Sequence, residues 1–77
     1  MNNKMYADDI LIADKFIQKH KDDEELMDFI DNLKILIQKK ELSENNIFEL
    51  CNEFLGSHYP DESYILAIGL SFWIQEH

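Results

Sequence analysis

Arginine is absent from this sequence, and seven lysines stand against sixteen aspartate and glutamate residues. The formal net charge of −9 at pH 7 argues against direct nucleic-acid binding, which depends on Lys and Arg side chains that neutralise phosphates. An anionic membrane surface is disfavoured for the same reason, whereas a basic partner protein would be attracted and steered in. The composition leaves two interpretations open: the excess charge serves solubility alone, or it forms a functional acidic face.

Glycine and cysteine are also scarce, which excludes several kinds of catalytic site. Two glycines cannot build a glycine-rich phosphate loop, and no serine lies at a strand-to-helix elbow. The lone Cys51 cannot form an intramolecular disulfide, which fits a reducing compartment. Because Cys51 falls on an apolar helical stripe, we interpret it as a buried thiol rather than a nucleophile. The carboxylates fall on outward helix faces rather than in an apolar cleft, so we predict no enzyme activity.

The three histidines do not form a metal-binding pattern. His20, His58 and His77 lie in different segments, and none is paired at the i, i+4 spacing of a helical metal site. His58 and Asp61 could share a metal with a further ligand, but a solvated turn is the interpretation that we favour for both. We therefore predict no metal and no other cofactor.

No stretch has the pattern of a secretion signal or a transmembrane helix. The first ten residues, MNNKMYADDI, lack a basic start followed by an apolar run. The most apolar stretch, residues 64–74 (YILAIGLSFWI), is shorter than the roughly 20 residues that cross a bilayer. We therefore expect a cytoplasmic protein.

Residues 64–74 predict the helix around which the fold is organised. Nine of these eleven residues are apolar, and a helix that is apolar on every side is usually surrounded by protein. Gly69, in its middle, costs about 1 kcal/mol relative to alanine. We expect a neighbouring helix to approach Gly69 closely, although drift at a tolerant position is an alternative.

Hydrophobic periodicity predicts three further helices, at residues 5–19, 22–40 and 44–55. Asn2 or Asn3, Asp22 or Asp23, and Ser43 are the predicted N-caps, with Asp22 and Glu25 forming a capping box. Gly56 is the predicted C′ residue of the third helix. Asp61 would cap the fourth helix, with Glu62 in its first turn, and that helix would run to about Gln75. We expect one all-α domain over residues 1–77, a compact four-helix bundle whose last helix is the most buried.

Two groups of acidic residues stand out. Six acids lie between residues 22 and 31 with no base among them: Asp22, Asp23, Glu24, Glu25, Asp28 and Asp31. Like charges at helical spacing are mildly destabilising, so this group is either a solvated helix start or a docking surface for a basic partner. A second outward-facing group on the third helix continues into the following turn: Glu44, Glu49, Glu53, Asp61 and Glu62.

An aromatic residue lies between these acids. Tyr59 precedes Pro60, which restrains its backbone to an extended conformation. We expect Tyr59 to be a rigid, exposed anchor inside a charged rim, and the alternative is that its ring folds back over the core. Phe48, on the flank of its helix, is a weaker candidate anchor.

The chain resembles small acidic helical immunity proteins of bacteria, which include the nuclease-colicin and several contact-dependent-inhibition immunity proteins. The resemblance rests on four predicted helices, the negative charge and the segment HYPDES at residues 58–63. The colicin immunity family has a Tyr-Tyr-Pro segment followed by acids and then a last helix with a Trp. The similar residues here are Tyr59, Pro60, Asp61, Glu62 and Trp73. His58 takes the place of the first tyrosine, and the third helix is longer here.

The resemblance implies an antitoxin that blocks a basic nuclease toxin with acids of the second helix and the tyrosine segment. The contacts it implies are Glu24, Glu25, Asp28, Asp31, Tyr59 and Asp61. Together with the charge pattern, it leads to ten candidate partner-binding residues: Asp23, Glu24, Glu25, Asp28, Asp31, Glu49, Glu53, Tyr59, Asp61 and Glu62.

Two functions remain as hypotheses. In the first, the protein is a non-catalytic inhibitor, monomeric before binding, whose acids occupy the cleft of a basic RNase or DNase toxin. In the second, it is a small adaptor or regulatory subunit that binds a partner protein through an apolar groove and self-associates. Phe48, Tyr59 or Trp73 is expected at the interface of that association.

Overall fold

Four α-helices form the fold in the computed structural model, which describes residues 6–62 and 64–76. They are α1 (Ala7–Lys19), α2 (Glu24–Gln38), α3 (Glu44–His58) and α4 (Tyr64–Glu76). No strand occurs within these described ranges. The predicted all-α four-helix bundle is therefore confirmed.

The last helix, α4, is the centre of the packing. It contacts all three other helices, most extensively α1 and then α3. Seven α4 residues are buried, compared with three in each of the other helices, which confirms the prediction that α4 is the most buried. Its first turn is an exception, since the side chain of Tyr64 is 66% exposed and that of Ile65 is 42% exposed.

Gly69 marks the closest approach between α1 and α4. A β-carbon built on Gly69 would meet the backbone carbonyl oxygen of Asp9 and lie 2.7 Å from the carbonyl carbon. The methyl group of Ala13 would be 3.4 Å away. The absence of a side chain at Gly69 thus lets the two backbones pack directly, as predicted.

Trp73, near the C-terminal end of α4, contacts side chains of both α1 and α2. Its indole Nε1–H donates to Oδ1 of Asp14 in α1, with 3.1 Å between nitrogen and oxygen. The Nζ atom of Lys34 in α2 lies 5.1 Å from the centroid of the Trp73 ring, within the range of a cation–π interaction. The polar edge of this buried ring is therefore satisfied while its apolar body fills the core.

Two helix starts have the predicted side-chain caps. Asp23 is the N-cap of α2, and its Oδ1 accepts from the amides of Glu25 (3.1 Å) and Leu26 (3.3 Å). The N-cap of α3 is Ser43, whose hydroxyl accepts from the amide of Asn46 (3.2 Å). The Asn46 side chain in turn accepts from the Ser43 amide, which completes a capping box. Because the cap of α2 is Asp23, the capping box predicted for Asp22 and Glu25 is wrong.

Several predicted helix ends also need correction. The third helix passes through Gly56, which has a negative φ, and continues to His58. It continues because the Leu55 side chain is buried and His58 pairs with Glu25 of α2, so tertiary packing overrides the glycine signal. The prediction of Gly56 as a C′ residue is wrong.

The start of α4 at Tyr64 corrects the predicted cap at Asp61. Asp61 and Glu62 lie in the turn that precedes the helix, so Asp61 does not cap α4 and Glu62 is not in its first turn. The first helix begins at Ala7 rather than residue 5. The predicted caps Asn2 and Asn3 lie outside the described residues, as does His77.

The second helix ends in a Schellman motif two residues before the predicted end at residue 40. The amide of Glu41 donates to the carbonyl of Leu36 (3.1 Å), and the amide of Lys40 donates to that of Ile37 (2.9 Å). The motif requires a left-handed residue, and Lys40 supplies it with φ of 60°. Glycine is the residue usually found there, because it carries no side chain that is strained in this conformation.

Replacing Lys40 with glycine should therefore raise the free energy of unfolding by about 0.5–1 kcal/mol. Strain is relieved in the folded state, and the greater freedom of glycine in the unfolded chain offsets part of the gain. Urea unfolding followed by circular dichroism measures the change. Lys39→Gly is the control, since Lys39 has α-helical dihedral angles and should give no stabilisation. A destabilised Lys40→Gly variant would contradict the assignment.

Candidate interaction surface

Most of the candidate partner-binding residues are exposed in the structure. Eight of the ten have exposed side chains: Glu24, Glu25, Asp28, Asp31, Glu49, Glu53, Asp61 and Glu62. We call these eight residues the acidic surface. The other two, Asp23 and Tyr59, are half-buried and bonded to each other, so the structure separates them from the rest.

Tyr59 does not project from the surface as an anchor. Its ring packs against the core, edge-on to Phe16, with centroids 5.0 Å apart and an interplanar angle of 81°. It also packs edge-on to His20, with centroids again 5.0 Å apart. The expectation of an exposed aromatic anchor is therefore wrong, and the alternative, a ring folded back over the core, is what the structure shows.

The Tyr59 hydroxyl donates to Oδ2 of Asp23. This hydrogen bond, followed by those from the amides of Leu26 and Glu25, lowers the pKa of the Asp23 carboxyl. Burial, followed by the bond to Asp23, raises the pKa of Tyr59 to about 12. Because both oxygens of Asp23 accept hydrogen bonds from its own chain, Asp23 is less available to a partner than the acidic surface.

A row of stacked rings lies between α2 and α3. Phe29 of α2 stacks on Phe54 of α3, with centroids 4.3 Å apart and planes 10° apart. Phe54 in turn stacks on His58, at 4.1 Å and 14°. Nε2 of His58 lies 3.6 Å from Oε1 of Glu25. The row therefore runs from the half-buried phenylalanines to an exposed histidine beside a carboxylate.

These contacts determine the relative position of α2 and α3. Phe29 meets Phe54, Glu25 meets His58 and Asp23 meets Tyr59, so the start of α2 lies beside the end of α3. The pairing brings the acids at the start of α2 near the turn that follows α3. The prediction that His58 lies in a solvated turn is wrong, because His58 is the last residue of α3. The i, i+4 spacing of Phe54 and His58, which predicts a ring pair on one helix face, was the available signal for its placement.

Lysine side chains of the described residues do not form ion pairs with the acidic surface. Within residues 6–62 and 64–76, Glu25 with His58 is the only side-chain ion pair closer than 4.0 Å. No lysine of these residues is therefore bonded to a carboxylate of the acidic surface. Ionised carboxylates only accept hydrogen bonds, so the surface is suited to Lys, Arg and other cationic groups.

The aromatic residues expected at the self-association interface of an adaptor mostly pack against the core. Trp73 is 9% exposed and Tyr59 packs on the core, so the prediction that either ring lies on an exposed seam is wrong. Phe48 is half-buried. The large apolar side chains that are exposed lie elsewhere: Leu11, Ile12, Ile35, Tyr64 and Ile65.

The described residues provide no group of three or more His, Cys, Asp or Glu side chains arranged to hold a metal. Cys51 is fully buried, and burial raises the pKa of its thiol to about 12, which keeps it protonated at neutral pH. None of the helices, over the part of the chain described, combines the length and apolar character needed to cross a bilayer.

Comparisons of the chain with protein-family models, with curated proteins and with solved structures found no match. The acidic surface consists of exposed carboxylates on α2, on α3 and in the turn that follows α3. The Phe29–Phe54 stack joins α2 to α3, and no lysine of the described ranges is bonded to these carboxylates.

Proposed function

We propose that the protein is a non-catalytic inhibitor, an immunity protein that binds and neutralises a basic nuclease toxin through the acidic surface. The observation that carries the proposal is the exposure of eight carboxylates on and next to two aligned helices, with no lysine bonded to them in the described ranges. A sequence selected for stability alone would interleave lysines among these acids, because like charges at helical spacing are destabilising.

The mechanism requires only binding. A nuclease holds the phosphates of its substrate with cationic side chains, and the exposed carboxylates of the acidic surface offer negative oxygens to the same cations. Occupying the cleft excludes RNA or DNA without any chemical step. The net charge of −9 steers a basic domain into encounter, so association should be fast at low salt and slower as salt rises.

Charge reversal on α2 tests the proposal. The probe is a purified nuclease domain of basic net charge, and stopped-flow fluorescence measures its association rate. Asp28→Lys with Asp31→Lys should lower the association rate constant about tenfold or more at low salt. Raising the salt concentration should slow the wild-type protein strongly and the variant weakly.

The matched control is Glu41→Lys with Glu76→Lys. Both residues are exposed and lie outside the acidic surface, and the pair changes the net charge by the same amount. A similar loss in both double variants would show that overall charge, rather than the acidic surface, governs association. An unchanged rate in the Asp28 and Asp31 variant at every salt concentration would remove the proposal.

The adaptor hypothesis makes a different prediction about oligomeric state. It expects self-association through an apolar seam, whereas the inhibitor is expected to be monomeric before binding. Analytical ultracentrifugation of the free protein distinguishes the two, since a concentration-dependent dimer favours the adaptor. The inward packing of Tyr59 and Trp73 supports the monomer.

A further inference from the structure

A groove lies at the opposite end of α3 from the Tyr59–Asp23 contact. It has a volume of about 280 Å³ and lies between the start of α1, the first turns of α3 and the second half of α4. Residues of α2 do not line it. Because α3 has 15 residues, the two ends are separated by roughly 20 Å of helix. The groove is therefore distinct from the α2 side of the acidic surface.

Aromatic rings form the walls of the groove. Tyr6 and Phe72 stack with centroids 4.3 Å apart and planes 18° apart, and Phe48 of α3 is also part of the lining. All three rings are half-buried, so each keeps part of its surface accessible. The negative faces of such rings attract cations, and guanidinium groups also stack on them.

The polar groups of the groove are suited to a cation. Among the described residues, its only charged lining group is the exposed carboxylate of Glu44. The Gln75 side-chain amide nitrogen donates to the Ser71 carbonyl (3.1 Å), which leaves the amide oxygen of Gln75 as an acceptor. The Ser71 hydroxyl already donates to the Ile68 carbonyl (2.7 Å). The groove therefore has two side-chain acceptors, the Glu44 carboxylate and the Gln75 amide oxygen, next to its aromatic rings.

We propose that this groove binds the arginine side chain of a basic segment in a partner protein. A planar guanidinium satisfies both features, since it stacks on aromatic rings and donates up to five hydrogen bonds to a carboxylate and an amide oxygen. The volume lies just below the range of about 300–1,000 Å³ typical of small-molecule pockets, which suits one long side chain. The net charge of −9 favours the approach of such a segment.

The proposal does not depend on the inhibitor function, because it concerns the first turns of α3 with α1 and α4, and a single side chain of the partner. The probe is the peptide acetyl-Gly-Arg-Gly-amide, followed by amide chemical shifts of the ¹⁵N-labelled full chain. The control peptide carries citrulline in place of arginine, because citrulline has the shape of arginine without the charge. The arginine peptide should shift resonances of residues that line the groove, and the citrulline peptide should bind at least about fivefold more weakly.

Two substitutions on the same helix provide the matched pair. Glu44→Gln should weaken binding of the arginine peptide about fivefold, whereas Glu49→Gln removes the same charge from an exposed site outside the groove and should leave binding unchanged. Phe48→Leu keeps an apolar side chain but removes a ring, and should also weaken binding. Circular dichroism of each variant confirms that the helices remain folded.

Three results would overturn the proposal. Equal binding of the citrulline peptide would show that charge is not recognised. Shifts confined to the α2 acids, with equal losses in the two glutamate variants, would show non-specific attraction to the acidic surface. Shifts of the groove resonances on dilution, without peptide, would show that a second copy of the chain occupies it.

Discussion

Replacing Gly69 with alanine should lower the free energy of unfolding by about 2–3 kcal/mol, because the added methyl group overlaps the α1 backbone. The atoms it would meet are the carbonyl oxygen and carbon of Asp9, which cannot move aside as a flexible side chain can. α1 would have to shift away from α4, and the contact between these helices is the most extensive in the fold. The gain in helix propensity, about 1 kcal/mol, is smaller than this loss.

Replacing Gly56 with alanine should have the opposite effect on the free energy of unfolding. Gly56 lies inside α3, is exposed, and a β-carbon there would meet nothing within 4 Å. Alanine should therefore raise the free energy of unfolding by about 0.5–1 kcal/mol through helix propensity alone. Urea denaturation of both variants, with comparison of midpoints and slopes, measures the two changes. A stable Gly69→Ala variant with wild-type packing would contradict the close approach of α1 and α4.

We expect substitutions at the contact between Tyr59 and Asp23 to lower the free energy of unfolding as well. Tyr59→Ala removes a ring packed on Phe16 and His20 together with the hydroxyl, and should cost about 2–3 kcal/mol. Tyr59→Phe keeps the ring and removes only the hydrogen bond to Asp23, and should cost about 1 kcal/mol. Tyr64→Phe is the matched control, since the Tyr64 side chain is 66% exposed and should change stability little.

The same contact predicts how stability depends on pH. The pKa of Asp23 is lowered in the folded state, so its contribution is present above the unfolded value of about 3.9 and is lost as pH falls through the folded pKa. The pKa of Tyr59 is raised to about 12, so its contribution is present below about pH 10 and is lost between about pH 10 and 12. Stability should therefore fall at both extremes.

Thermal unfolding as a function of pH, together with tyrosine absorbance, provides the measurement. Tyr59→Phe should abolish the loss of stability that the Tyr59 phenol contributes between about pH 10 and 12. It should also weaken the acid dependence, because the hydroxyl is the largest cause of the lowered pKa of Asp23. An unchanged alkaline dependence in Tyr59→Phe would mean that the pKa of Tyr59 is not raised in the folded protein, and an unchanged acid dependence would mean that Tyr59 is not bonded to Asp23 in solution.

The parts of the fold that depend on local signals were predictable from the sequence. The apolar stretch at residues 64–74 indicated the central helix, and Gly69 within it indicated a close helix approach that the structure confirms. Ser43 was recognisable as an N-cap because capping residues act on amides only two or three positions ahead. Each of these signals lies within a few residues of the feature that it determines.

The parts that depend on distant contacts were not predictable. Asp23 and Tyr59 are 36 residues apart, and nothing in either neighbourhood indicates that they are bonded. The helix through Gly56 continues because Leu55 and His58 find partners in the tertiary structure, which outweighs the local preference for a stop. The exposure of the acids was predictable, whereas the alignment of α2 with α3 required the ring stack of Phe29, Phe54 and His58.

If the protein binds a basic partner as we propose, the hydrogen bond from Tyr59 to Asp23 lowers the entropic cost of that binding. It ties the end of α3 to the start of α2, so the carboxylates on these segments keep their relative positions before a partner arrives. Ordering them on binding then costs little conformational entropy. Loosening that one bond should raise the dissociation constant even if every carboxylate is left in place.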